Sequence, residues 1–408
     1  MKTLHLLIFI FFFCLKGLAQ PPIPAIEWKY YSTEKNDLGV PNGSEQQTSC
    51  VVYDIDKDGT NDFVVTGRVK TPAVVWYKKN GEKWDRYILD SGPLRIEAGA
   101  AVYDIDNDGD LDPVFGGESR SNEVWWWENP YPDYDPNVSW KRHTIKKSGA
   151  TKQHDQLFGD FDGDGSMELA FWNQNANTLF LAEIPENPRE SEEWKMIAVY
   201  NYSNDSEMQP PGEMPAWKRI NEHEGLAKAD IDGDGILDIV GGGRWFKYLD
   251  NQKFRENIVD ASYPFSRSAA GQLIEGGRPE IVLVVGDGIA PMFLYEWQNG
   301  TWKRKTLIAE VDNGHSLDII DFNGDGHLDI FNAEMRFSKD YNPDAKLRVL
   351  LGDGKGNFTD YIINEGFSHH ESKIVDLDGD GDYDILSKPY AFRAPGIDIW
   401  LQNGTNKK

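Results

Sequence analysis

The chain is almost without cysteine: its 408 residues hold two, Cys14 and Cys50. Cys14 falls in an N-terminal targeting segment, where its neighbours Phe12 and Phe13 are too bulky for a typical lipoprotein site. Cys50 is then alone, so no intramolecular disulfide braces the fold. Long hydrophobic runs are also missing. The stretch Leu6 to Phe13 is too short to span a bilayer, and no later run reaches the roughly 20 residues a spanning helix needs. Positive charge is scarce: 42 Lys and Arg face 67 Asp and Glu, a net charge of −25. That balance argues against nucleic acid or an anionic membrane as partner. Nucleotide-binding motifs and a His-x-x-x-His helix motif are absent as well. What is present is 39% hydrophobic and 12% aromatic residues, enough for a sizeable core.

The targeting segment reads as a signal peptide over residues 1–19. Lys2 precedes the apolar stretch, and the small residues Gly17 and Ala19 suit cleavage before Gln20. Export to the periplasm or the extracellular space is therefore expected, for a protein that must be braced by something other than disulfides.

The rest of the chain is one unit repeated. An apolar stretch leads into Asp-x-Asp-x-Asp-Gly-x-x-Asp, and a second apolar stretch follows. Copies read VVYDIDKDGTNDFVVTG from Val51, AVYDIDNDGDLDPVFGG from Ala101, LFGDFDGDGSMELAFWN from Leu157 and AKADIDGDGILDIVGGG from Ala227. Two more read IIDFNGDGHLDIFNAEM from Ile319 and KIVDLDGDGDYDILSKP from Lys373. A seventh, GQLIEGGRPEIVLVVG from Gly271, has lost its Asp loop but keeps both flanking strands, with Glu280 where the last Asp would stand. The spacing fits a four-stranded propeller blade. Hairpin turns follow the second strand, as in VVWYKKNGEKWDRYIL from Val74, FLYEWQNGTWKRKTLI from Phe293 and RVLLGDGKGNFTDYII from Arg348,. The last unit is one strand short, and IEWKYYST from Ile26 resembles an outer strand. The expectation is an all-β, seven-bladed β-propeller over residues 20–408, closed by an N-terminal strand that removes the open edge.

These motifs resemble the FG-GAP or VCBS repeat family, which includes the integrin α-subunit propeller, here in a secreted bacterial form. The resemblance covers almost the whole mature chain and implies a calcium-binding propeller. It is nearly silent on activity, because one fold hosts many functions.

The loop chemistry follows from oxygen geometry. Calcium takes six to eight hard oxygen ligands, and Asp at loop positions 1, 3, 5 and 9 with a backbone carbonyl at 7 wraps one ion. The expected ligands are Asp54, Asp56, Asp58 and Asp62; Asp104, Asp106, Asp108 and Asp112; Asp160, Asp162, Asp164 and Glu168; Asp230, Asp232, Asp234 and Asp238; Asp321, Asn323, Asp325 and Asp329; and Asp376, Asp378, Asp380 and Asp384. Six equivalent sites indicate a structural role, one per hairpin, and would neutralise much of the acidity.

Each Asp loop joins the innermost strand to the next, so all of them lie on one face. Residues entering innermost strands or leaving second strands meet at the opposite mouth of the channel. Entering are His154, His223, Glu224, His315, His369 and His370, with Glu97 and Thr48 at the equivalent places. Leaving are Arg68, Glu118, Arg120, Asn173, Asn175, Arg244, Trp245, Asp287, Glu334, Arg336, Lys388 and Tyr390. Five of the seven mature histidines thus share one register, and convergent polar groups in a concavity mark a functional site.

Three chemistries fit an extracellular glycan or oligosaccharide partner. In the first, His154, His223, His315, His370 and Tyr390 carry out β-elimination, as in propeller polysaccharide lyases and a sugar dehydratase of similar overall plan. Arg68, Arg120, Arg244, Arg336, Lys388, Trp245 and the glutamates would then hold substrate. In the second, two of Glu97, Glu118, Glu224, Glu334 and Glu371 act as a glycosidase pair. In the third, the rim is a lectin site with Trp245 and Tyr390 stacking on sugar. A transition metal such as zinc on two or three histidines is a further option. Two segments carry separate expectations. In the run Trp125, Trp126, Trp127, strand alternation sends Trp126 to one sheet face and its neighbours to the other, for blade packing. The Pro, Glu, Asn and Ser-rich stretch from Pro185 to Pro215 is expected to be a loop lengthening the link between the third and fourth units.

Overall fold

A computed structural model describes residues 26–205, 210–214 and 222–403. The expected signal peptide lies outside the described residues. Among them, seven antiparallel sheets of four strands account for every strand, and the single helical element is a 3-10 turn at Thr33–Lys35. The innermost strands, in chain order, are Gln47–Tyr53, Ala101–Tyr103, Gln153–Gly159, Ala227–Ala229, Ser266–Gly271, Ser316–Ile320 and Lys373–Val375. These define blades one to seven, and in blades one to six the strands run outward in chain order. In blade seven the fourth strand is Trp28–Ser32, paired with Asp398–Gln402 over a register from Trp28↔Gln402 to Ser32↔Asp398. The Tyr30 hydroxyl donates to Asp398 at 2.5 Å across the same junction.

The core is divided into seven apolar clusters, each shared by two consecutive blades. The division follows from the two-residue period of a strand, which sends successive side chains to opposite neighbours. In blade one, Phe63 and Val65 pack toward blade seven and Val64 packs toward blade two. In blade two, Trp125 and Trp127 join the cluster shared with blade one, and Trp126 joins the cluster shared with blade three. All three tryptophans are buried, as alternation requires.

Blade five is the degenerate unit. Its innermost strand pairs with Glu280–Val285 without an Asp loop between them. The proline-rich stretch needs correcting: Lys195–Asn201 is the outermost strand of blade three, so the loop is shorter than composition suggested. The acidic and Pro-rich residues before it conceal an outer strand whose Met196 packs toward blade two and whose Ile197 and Val199 pack toward blade four. Beyond it, Glu213 exchanges two backbone hydrogen bonds of 2.7 Å with Ile289, which ties the link to blade five.

Candidate functional site

The six Asp loops share one internal architecture. The first Asp of each accepts the backbone N–H of the glycine five residues on, at 2.9–3.1 Å. That glycine has φ between +86° and +93°, a left-handed conformation that side chains disfavour,. The ninth-position carboxylate accepts the backbone N–H of the loop's second residue, at 2.7–3.2 Å, and so closes the turn. Glu280 makes the same closure to the Ile274 N–H at 2.9 Å in blade five, where the other loop acids are gone. The ninth position is therefore a backbone clasp in its own right.

Metal-binding geometry is concentrated at the first, third and fifth positions. Carboxylate oxygens of Asp54, Asp56 and Asp58 lie within 4.8 Å of one another, as do those of Asp104, Asp106 and Asp108, and of Asp230, Asp232 and Asp234. In the third loop the longer Glu168 joins Asp160, Asp162 and Asp164. Oδ1 of Asp56, Asp104, Asp232 and Asp378 is buried without a hydrogen-bond partner, which suits a cation,. Burial, reinforced by the acids of the same loop, pushes Asp62, Asp112 and Asp384 up to about 8. It pushes Glu168, Asp238 and Asp329 up to about 7. A bound cation would relieve that repulsion. Two loops also receive an ammonium from the third strand of their own blade: Lys78 bonds Asp56 and Asp58, and Lys247 bonds Asp232 and Asp234.

At the other end of the innermost strands is a cavity of about 410 Å³. Its wall draws on every part of the ring. Gln46 and Arg68 come from blade one, Glu97 from blade two, and Lys152, His154 and Gln174 from blade three. Glu222 precedes blade four, and Asp287 leaves blade five. Blades six and seven add His315, Met335, Phe337, His370 and Tyr390. Most of these residues are polar or charged, and Met335, Phe337 and Tyr390 are its large apolar members, with Phe337 and Tyr390 adjacent. Arg68 pairs with Glu97, and its guanidinium lies 5.6 Å from the Tyr390 ring centre; Lys152 pairs with Glu222 at 2.7 Å.

The three imidazoles stand in different electrostatic surroundings. His154 Nδ1 is 2.7 Å from Asp155 Oδ2, and its Nε2 is 3.5 Å from Glu224 Oε2. Burial opposes protonation of His154, but Asp155 and Glu224 outweigh it and raise the imidazole above its ordinary range,. His370 is the reverse case: burial, with His315 and Lys388 nearby, holds it well below the ordinary range. His315 stacks on His370 with ring centres 4.2 Å apart, and its Nδ1 is 3.6 Å from Glu371 Oε1. Tyr390 lies 4.8 Å from the His370 ring, and burial raises its phenol.

A buried clasp lies behind His154 and His315, away from the cavity wall itself. Arg267 reaches Asp155 at 2.7 Å and Glu371 at 3.0 Å, joining blades three, five and seven. Burial would raise both carboxyls, but Arg267 leads the groups that hold them below their ordinary range. Asp155 and Glu371 have φ of 53° and 54°, each five residues before the first loop Asp. Gly99 and Gly225 hold the equivalent positions of blades two and four, also at positive φ. An acid in this conformation costs on the order of 1 kcal/mol or more, and here it aims a carboxylate at an imidazole. Below the clasp is a second polar chamber of about 310 Å³, lined by Lys228, Arg267, Asp318 and Lys373 among others.

The structure thus brings His154, His315, His370, Tyr390, Arg68 and Glu97 to one cavity. It places other expected site residues elsewhere. His223 is buried between blades, stacked on Tyr202 at 3.8 Å and beside Trp172. Trp245 is in the apolar core between blades four and five. Arg244 is tied to Asp205, Glu256 and the Gly242 carbonyl. Arg336 binds backbone carbonyls of Tyr341 and Gly366. Glu334 accepts the Lys346 N–H and faces Arg348, and Glu118 is held by Arg95 and Ser119. Arg120 is exposed, away from the cavity wall. Glu224 lies behind His154, and Lys388 is wholly buried behind His370. Among the described residues, Glu224, Asp287 and His315 also gather ligand atoms within 4.8 Å of one another. The sequence reading missed Asp155, Arg267 and Phe337. Asp155 was detectable as the acid directly after a ring histidine, but Arg267 belongs to the one unit without an Asp loop to count from.

Comparison with known proteins agrees with this architecture. The FG-GAP-like repeat family matches residues 54–115, 160–241 and 277–331. Curated proteins give no match. Among solved structures, virginiamycin B lyase from Staphylococcus aureus is similar at a TM-score of 0.52 and 12% identity, over 92% of this chain and 99% of that one. BBS1N, solved in complex with ARL6DN, is similar at 0.51 and 11% identity, over 90% and 97% of the two chains. The V. cholerae biofilm matrix protein Bap1 gives 0.49 and 10% identity, over 90% and 92%. At these identities the likeness to the first two is one of fold.

Proposed function

Because this chain is a seven-bladed propeller built from FG-GAP-like repeats, we propose that calcium in the Asp loops holds the ring together and that the cavity at the opposite mouth carries the activity. The activity is β-elimination on an extracellular carbohydrate, by a protein exported through its N-terminal segment. The observation that supports this reading is the meeting of three imidazoles with unlike electrostatic partners around one concavity.

The roles follow from those partners. Glu371 faces His315 Nδ1 and favours a proton there, which leaves the Nε2 lone pair as the base,. His315 takes the proton next to a carboxylate or ketone of the sugar, and the electron pair passes into an enolate-like system. His154, whose protonated form Asp155 and Glu224 favour, and Arg68 stabilise that negative charge,. The bond from the β-carbon to oxygen then breaks, and the Tyr390 phenol, kept neutral by burial, protonates the leaving oxygen,. Met335, Phe337 and Tyr390 receive the apolar face of a sugar ring,.

A glycosidase pair is less well supported. Of the five candidate glutamates only Glu97 lines the cavity, and it is paired with Arg68. A purely sugar-binding role is favoured by Phe337 and Tyr390 alone. The test is ultraviolet absorbance of an unsaturated product on a panel of uronate polysaccharides. His315→Ala, His154→Ala and Tyr390→Phe are each expected to lower turnover about 100-fold or more, the usual worth of a positioned acid or base. Full activity in all three variants would sink the assignment, and retained glycan binding with no product from the parent protein would establish the lectin role.

A further inference from the structure

Lys388 leaves the second strand of blade seven, where it was expected to meet substrate. Its side chain instead turns inward and has no exposed surface. The ammonium has three N–H bonds, and the fold supplies three acceptors: the Gln47 carbonyl at 3.2 Å, the His370 carbonyl at 2.9 Å and His370 Nδ1 at 3.1 Å. An ammonium has no lone pair and can only donate. The nitrogen facing it must therefore accept, and a neutral imidazole that accepts at Nδ1 carries its hydrogen at Nε2.

We propose that Lys388 is a positioning residue that fixes His370 as its Nε2–H tautomer, making that imidazole a hydrogen-bond donor at the cavity. The inference rests on the reading of the cavity as the functional site and adds to it a division of labour between two stacked rings. His315 has a carboxylate behind Nδ1 and presents a lone pair, whereas His370 has an ammonium behind Nδ1 and presents an N–H. Two identical side chains 4.2 Å apart are thereby given opposite hydrogen-bonding character by buried charges of opposite sign. His370 then donates to a carboxylate or carbonyl oxygen of the substrate and does not abstract protons.

The arrangement also explains why a lysine is retained in so dry a place. Burial lowers Lys388 to about 8. The other titratable groups facing it are Cys50 from blade one and Glu371 and Lys373 from its own blade, with His370 in direct contact. Its three hydrogen bonds and Glu371 support the charged form below that pH.

The test is nitrogen-15 NMR of histidine side chains in the calcium-loaded full chain, without substrate, with the His370 signals assigned by their loss in His370→Gln. The expected result at pH 7 is a protonated Nε2 and an unprotonated Nδ1. In Lys388→Met the Nδ1 resonance should shift toward the protonated form, with the His154 signals unchanged. A protonated Nδ1 on His370 in the parent protein would overturn the proposal, and that measurement stands even if the variant fails to fold. A folded Lys388→Met with an unaltered His370 tautomer would overturn it equally. Because no turnover is read, failure here is distinct from failure of the β-elimination reading.

Discussion

At the scale of single residues, the innermost strands show how neighbours in sequence acquire unrelated tasks. His369 and His370 are adjacent in the irregular entrance just before the strand Lys373–Val375, and their side chains go to different surroundings. His369 donates or accepts at Ser387 Oγ, 2.7 Å away, against Trp400 in the blade core. Burial, with Arg393 nearby, pushes its imidazole down to about 3. The folded state therefore holds His369 neutral, whereas the unfolded chain protonates it near 6.5. The unfolded state binds more protons between those values, so this contribution to stability is present above about 6.5 and is lost as pH falls. From pH 7 to 5 the loss is about 2 kcal/mol at 1.36 kcal/mol per pKa unit. Urea unfolding of His369→Asn should show a flatter acid limb over that range, and a limb as steep as the parent's would contradict the assignment. Sequence register was enough to find His154, His315 and His370, because the count back from the first loop Asp is constant. That count is six for these three and seven for His223 and His369, and both seven-count imidazoles turn into blade packing, a one-residue difference that pooling the five histidines in one register hid. Nor could it find that Trp245 and Arg336 turn away into blade packing and backbone contacts.

At the scale of elements, the Asp loop separates into two devices that the repeat motif presents as one. Positions one, three and five gather oxygens that could hold a cation, and position nine clasps the backbone. Blade five supplies the natural experiment, because Glu280 keeps the clasp without the other acids. Removing a buried acceptor that satisfies a backbone N–H costs about 1–3 kcal/mol. Glu280→Ala should therefore lower the melting temperature by the same amount with and without chelator. Asp62→Ala should cost more when calcium is present than when it is removed. A cost of Asp62→Ala that does not change with calcium would show that the ninth position acts only as a backbone clasp. This division was not legible beforehand. The motif records which acids recur, whereas which oxygen meets a backbone N–H and which is left without a partner depends on the coordinates of the turn. The packing of the three tryptophans, in contrast, was fully legible, because alternation on a strand buried on both faces leaves one arrangement.

At the scale of the whole molecule, the described residues form seven blades with seven interfaces and no disulfide, and one cavity takes residues from around the ring. Stability and site are thus coupled: a loosened blade moves its contribution to the wall. Ligands that bind only the folded state stabilise it by about 2.7 kcal/mol per site at 100 times the dissociation constant. Several calcium sites acting together should therefore shift the melting temperature substantially. Thorough chelation is expected to lower it by many degrees and to restore it on calcium addition, read by calorimetry. An unchanged melting temperature would remove calcium from its structural role. The number of blades and the face that holds the Asp loops were both readable from the repeat and its direction.

The strand Trp28–Ser32 and its partner Asp398–Gln402 are separated by nearly the whole chain. A ribosome makes one of them long before the other, so a nascent fragment that lacks the second cannot present a complete circle. A product that reaches Asp384–Ser387 but stops short of Asp398–Gln402 has a raw hydrogen-bonding margin on its seventh sheet, able to recruit a strand from another molecule,. For this protein, quality control amounts to asking whether the two ends have met.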